Sequence, residues 1–116
     1  MGVGLSLGQA LQLWHDVNLE LIRDKEPDLS ARQMTILLTV YLEAPPHTVR
    51  GLASKLGVSK PVITRALDAM GKLGLVGRRR DERDRRNVLV QRTVEGALYL
   101  ERMAATIARH AQELVP

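Results

Sequence analysis

The sequence contains no cysteine. Disulfides, thiolate metal sites, iron–sulfur clusters and thiol redox sensing are therefore excluded, and the chain fits a reducing compartment, the cytoplasm. No apolar run approaches the ~18–20 residues of a membrane span. The opening residues, Met1 to Ser6, carry neither a basic region nor an apolar signal core, so export is not expected. Catalytic constellations are wanting too. His15, His47 and His110 lie far apart, whereas a metal site needs three or four convergent ligands. Gly71-Lys72-Leu73-Gly74 lacks the long glycine spacing before the lysine that a phosphate loop requires. Ser54 and Ser59 have no nearby histidine base, which leaves acyl transfer unsupported. No internal repeat and no low-complexity segment is present. Neither an enzyme nor a bound cofactor is expected.

What remains is a chain of 116 residues, the size of one domain spanning residues 1–116. Its charge is unevenly spread. Residues 1–47 carry 3 basic and 6 acidic side chains, residues 48–92 carry 12 and 4, and residues 93–116 carry 2 and 3. The whole positive excess lies in the central block, so a polyanionic partner meets residues 48–92. A solvated basic face kept for solubility is the plainer alternative on charge alone.

Periodicity predicts five helices and one hairpin. Leu7, Leu11, Trp14, Val17 and Leu21 recur at helical spacing behind Ser6 as N-cap, over roughly Leu7 to Lys25, until Glu26-Pro27-Asp28 breaks the pattern. Ser30 caps a second helix, Ala31 to Glu43, apolar almost all round and therefore central. Thr48 caps a short third helix carrying Val49, Leu52, Ala53 and Leu56, and Gly57 suits a left-handed turn. Ser59 caps a fourth helix with Pro61 in its first turn. Ile63, Ala66, Leu67, Met70 and Leu73 form its inner stripe; Lys60, Thr64, Arg65, Asp68 and Lys72 form its outer face. Leu75–Arg79 and Asn87–Gln91 read as two strands joined by an entirely charged loop, a hairpin. Thr93 caps the last helix, Val94 to Leu114, with an alanine-rich stripe of Ala97, Leu100, Ala104, Ile107, Ala108, Ala111 and Val115.

The third and fourth helices, with their short glycine turn, have the pattern of a helix-turn-helix. The basic hairpin that follows makes it a winged helix-turn-helix, mainly α with a small β-hairpin wing. An ordinary helical hairpin in a bundle is the competing reading, and the wing weighs against it. A helix fits the major groove, and its N-terminal side chains reach base edges. Here those are Ser59, Lys60, Pro61, Thr64 and Arg65 on a recognition helix spanning 60–73. In the wing, residues 80–86, Arg83, Arg85 and Arg86 alternate with Asp81, Glu82 and Asp84. An acid two residues before an arginine orients it, so Asp84 is expected to hold Arg86 in a fork that suits a narrow minor groove, the alternative being a solvated loop that meets only phosphates. Asp68 is placed to brace another wing arginine.

At this point the residues resemble the MarR family of bacterial transcription regulators. Asp84-Arg85-Arg86 is similar to the family's wing signature, and Thr93-Val94-Glu95-Gly96, seven residues later, to the start of its next helix. Leu52-Ala53-Ser54-Lys55-Leu56-Gly57-Val58-Ser59 and the stretch from Leu67 to Val76 are similar too. The resemblance implies a winged-helix homodimer on pseudo-palindromic promoter DNA, usually a repressor. It also implies that Arg86 is the minor-groove arginine, with Asp84 as its acidic partner. Two departures stand out. Arg92 replaces the usual leucine before the threonine, and family chains continue into a further helix where this sequence stops at Pro116. With dimerisation resting on helices 7–25 and 94–115, the expected contacts are Leu7, Leu11, Trp14, Ala104, Ile107, Ala108 and Ala111, while residues 31–92 form the DNA-binding lobe. A small aromatic effector would find possible walls in Trp14, Tyr41 and Tyr99, though core or interface packing is the better explanation of these three. Two other functions stay open. One is a winged-helix protein-interaction module; the other is an antirepressor partner of a full-length regulator.

Overall fold

Two serines open helices in the same way. Ser6 accepts from the Gln9 amide and Ser30 from the Gln33 amide, and each glutamine side chain returns a bond to the serine N–H. These reciprocal capping boxes satisfy donors that a helix start otherwise leaves unpaired. In the computed structural model, residues 4–115 are described. Met1 to Val3 and Pro116, on which part of the export and chain-end expectations rest, lie outside them.

The elements run α1 (Leu7–Arg23), α2 (Ala31–Leu42), β1 (His47–Thr48), α3 (Val49–Leu56), α4 (Lys60–Lys72), β2 (Val76–Arg80), β3 (Val88–Arg92) and α5 (Val94–Gln112). All five helices and the hairpin stand where periodicity predicts them. The differences lie at the ends. α1 stops before Lys25, which takes a left-handed conformation at φ 57°. Both hairpin strands begin and end one residue later than expected. β1 is new: His47 pairs with Val90 and Thr48 with Leu89, giving an antiparallel sheet in the order β1-β3-β2.

The chain forms two compact units, residues 29–100 and residues 4–28 with 101–115. In the larger unit, Ile36, Leu37, Val40, Leu52, Ile63, Leu67, Met70 and Tyr99 form a continuous buried core with Leu75, Val76 and Val90. α2 is central as expected, except that Leu42 at its end is exposed. Arg92 accounts for its own departure from the family pattern. Its Nε donates to the Val40 carbonyl at 2.9 Å and its Nη2 to that of Glu43 at 3.3 Å, with the guanidinium 5.8 Å from the centre of the Tyr41 ring. α2 has no basic residue in its last turn. Arg92 brings the cation that its C-terminal carbonyls favour from a neighbouring strand.

In the smaller unit, Val17, Met103 and Thr106 are buried. The alanine-rich stripe of α5, expected above as a dimer contact, lies away from this buried face. Ala104, Ala108 and Ala111 are exposed and Ile107 is half-buried, while Met103 and Thr106 occupy the inner face. Glu20 accepts from Arg109 and, at 3.1 Å, from Thr106 Oγ1, while Nε2 of His110 lies 3.0 Å from its other oxygen. The Arg109 guanidinium holds the Glu20 carboxyl below the usual carboxylate range, with His110 and Thr106 adding to it, and Glu20 in turn raises Arg109. A depressed acid stabilises the fold above its unfolded pKa, near about 4.3 for glutamate, and that contribution is lost as pH falls through the folded value. Glu20→Gln is thus expected to destabilise at neutral pH, with the difference from wild type shrinking below that range. Urea melts of both proteins at neutral and strongly acidic pH measure it; a difference that does not shrink in acid excludes the Glu20 ionisation as its source.

Candidate nucleic-acid interface

The helix pair is set by one residue without a Cβ. Gly57 closes α3 at φ 69°, and its N–H bonds back to the Ala53 and Ser54 carbonyls. The left-handed region is costly for any residue with a side chain. The chain then turns straight into α4, and the Val58 N–H reaches the Ala53 carbonyl at 3.0 Å. Ala53 is buried at the close approach of the two helices. α4 buries Ile63, Ala66, Leu67 and Met70 and leaves Ser59, Lys60, Pro61, Thr64 and Arg65 exposed together on its outer face and first turn. Ser59 occupies the N-cap position, but its hydroxyl makes no capping bond, contrary to expectation. Pro61 in the first turn already removes one of the amides a cap would serve, so the hydroxyl stays available to another partner.

The wing is ordered by its acids. Arg86 donates from Nε to Asp84 Oδ1 at 3.0 Å and from Nη2 to Oδ2 at 3.1 Å, a two-bond fork, and its backbone N–H also donates to Asp84 Oδ1. The Arg86 fork and backbone bond hold the Asp84 carboxyl below the usual range, with Arg50 on α3 contributing at longer reach. The guanidinium remains 81% exposed. Asp81 does for Arg83 what Asp84 does for Arg86 at the backbone, accepting the Arg83 N–H at 2.9 Å. The two-residue spacing is the same. The loop is further tied by Arg80, whose Nη1 donates to the Arg85 carbonyl at 2.6 Å. The loop is therefore folded on itself, and Arg83, Arg85 and Arg86 project from it as exposed side chains.

Asp68 accepts from Arg78 Nη2 at 2.7 Å. Its partner thus stands in strand β2 rather than in the 80–86 loop, and the pair joins α4 to the base of the wing. Tyr99 is buried in the core, and the Tyr41 hydroxyl accepts from the Thr93 N–H and donates to the Thr93 carbonyl. Both are occupied structurally. Leu7, Leu11 and Trp14 are 86%, 72% and 64% exposed, so the apolar stripe of α1 is largely uncovered within a single chain. Among the described residues no helix is long and apolar enough to cross a membrane.

The sequence matches the MarR family over residues 29–88. Several solved structures share the fold. The transcriptional regulator Tm0710 from Thermotoga maritima superposes with a TM-score of 0.74 at 22% identity, covering 90% of this chain and 70% of that one. MepR from S. aureus, in its complex with DNA, gives 0.76 at 17% identity, covering 90% and 82%. CouR from Rhodococcus jostii RHA1, bound to p-coumaroyl-CoA, gives 0.64 at 26% identity, covering 92% and 75%. No curated protein matches the sequence.

Proposed function

The chain belongs to the MarR family of winged-helix, DNA-binding transcriptional regulators, not enzymes, and from that premise we propose that it is a sequence-specific repressor acting as a homodimer on promoter DNA in the cytoplasm. The observation that carries this reading is the Asp84–Arg86 fork. It presents one exposed guanidinium in a fixed orientation beside a helix-turn-helix. A preoriented arginine loses little freedom on entering a narrow minor groove, where the negative potential is strongest. The face of Ser59, Lys60, Pro61, Thr64 and Arg65 is free of intramolecular ion pairs among the described residues, and in this reading it enters the major groove. Arg65 donates two hydrogen bonds to a guanine, Ser59 and Thr64 meet phosphate or base, and Pro61 makes apolar contact. Arg83 and Arg85 add phosphate contacts, and Asp68 steadies the wing through Arg78.

Pairing through the α1 and α5 faces would cover Leu7, Leu11 and Trp14. The exposed Ala104, Ala108 and Ala111 allow close backbone approach beside Ile107, and Trp14 supplies a large anchor. A two-fold dimer sets its recognition helices about 34 Å apart, one helical turn of DNA. The aromatic effector has its support in the likeness to CouR, and Tyr41 and Tyr99, engaged in the core, are poor walls for it. A protein-only interaction module has no use for the basic block at residues 48–92 unless its partner is acidic.

The proposed reading is tested at Arg65. Arg65→Ala is expected to relax base preference at one position of each half-site, with about 1–3 kcal/mol less discrimination. Comparing sites enriched by wild type and variant from the same duplex pool measures it. An unchanged preference would confine Arg65 to the phosphates.

A further inference from the structure

Most arginines of known partner in this molecule face a carboxylate: Arg78 with Asp68, Arg86 with Asp84, Arg102 with Glu26 and Arg109 with Glu20. One cleft breaks that habit. Ser30, Arg32, Gln33, Val62, Arg65 and Ala66 line it, between the first turn of α2 and the flank of α4. Two arginines line it and no acidic residue does. Neither Arg32 nor Arg65 has a hydrogen-bond or ion-pair partner among the described residues, and both are exposed. The first turn of α2 contains no acid either, so Arg32 stands where a cation is disfavoured by the helix itself. Like charges brought together without a counter-ion are an unfavourable arrangement for the free protein, and one that an anion relieves.

Resting on the DNA-binding reading above, we infer that Arg32 is a backbone-phosphate anchor outside the helix-turn-helix. It would grip the sugar–phosphate strand at the wall of the major groove while Arg65, on the other side of the same cleft, reaches the base edges. The placement follows from size. A helix with its side chains is about 10–12 Å across and the major groove about 12 Å wide, so α4 fills the groove. An element packed against its flank, as α2 is, then lies over the groove wall, and the wall is phosphate. Such a contact adds affinity and salt dependence without sequence information.

The test is fluorescence anisotropy of the full chain with a mixed-sequence duplex over a range of salt. Wild type, Arg32→Gln and Arg32→Lys are compared, with thermal melts as a check on folding. Each arginine–phosphate contact contributes about 0.9 to the slope of log K against log salt. Arg32→Gln is expected to flatten the slope by about 0.9 for every subunit bound and to leave the enriched site unchanged, while Arg32→Lys keeps the wild-type slope. Wild-type slope and affinity in a folded Arg32→Gln would overturn the anchor and leave the DNA reading standing. A changed base preference at constant slope would overturn it by making Arg32 a base reader. Failure of wild type to bind any duplex at low salt would remove the anchor together with the function it rests on.

Discussion

Arg86→Ala is expected to weaken duplex binding by about ten- to a hundredfold for each wing engaged, with little change in stability. A hydrogen bond to a charged group contributes about 1.5–3 kcal/mol, and every 1.4 kcal/mol is a factor of ten in affinity. The Arg86 side chain lies outside the core at 81% exposure, and surface substitutions of this kind stay within about 0.5 kcal/mol. Asp84→Asn separates orientation from contact. It leaves the guanidinium in place, keeps an acceptor for the Arg86 N–H, and removes the charged half of the fork. Its affinity should fall between wild type and Arg86→Ala. Anisotropy titrations with all three proteins measure this. Arg86→Ala binding as tightly as wild type would take the wing out of the mechanism.

The second large effect is on folding. Gly96→Ala is expected to destabilise the protein by about 3 kcal/mol, at the upper end of the usual cost of overpacking. A Cβ at this position would run into the Leu75 carbonyl oxygen and the Tyr41 hydroxyl, both well inside contact distance. Neither is free to move. Leu75 is buried, and Tyr41 is held at 2.6 and 2.7 Å by the Thr93 carbonyl and N–H. The same joint contains the N-terminal cap of α5, in which the Gly96 N–H donates to Thr93 Oγ1 at 3.0 Å and that hydroxyl donates to the Gly74 carbonyl at 2.7 Å. Thr93 and Gly96 therefore fasten the return of the wing to the core by hydrogen bonding and by close approach respectively. A melting temperature lowered by roughly 10 °C is the expected readout for a chain of this size. A variant within 2 °C of wild type would mean that the joint gives way easily.

Gly96 also shows where the sequence was legible and where it was not. The threonine–glycine start of the last helix stands out as a motif, but the reason for the glycine lies in Leu75 and Tyr41, far away along the chain. The helix-turn-helix was legible except for the missing Ser59 cap bond, because its signals are local: the periodic Leu52, Leu56, Ile63 and Met70, the left-handed Gly57, and Pro61 in a first turn. The Asp84–Arg86 fork was legible for the same reason, with two residues of one turn facing each other. The partner of Asp68 was not, since Arg78 comes from a strand ten positions on. Nor was the cap that Arg92 places on α2 from 52 residues away. β1 is two residues long, too short for any alternation to register. The stripe on α5 was legible as apolar, but the residues that turn α5 toward the core were not. Tyr99 and Met103 take the inner face, and neither belongs to the stripe. The alanines are left outside, where close approach of another helix becomes possible.

The decisive measurement is selection of bound duplexes from a random library by the purified protein. Enrichment of an inverted repeat, with half-sites centred about one helical turn apart, is the predicted result. It would establish sequence recognition and two-fold symmetry in one experiment. A folded protein that enriches no sequence would contradict the assignment of α4 and the wing to specific DNA reading.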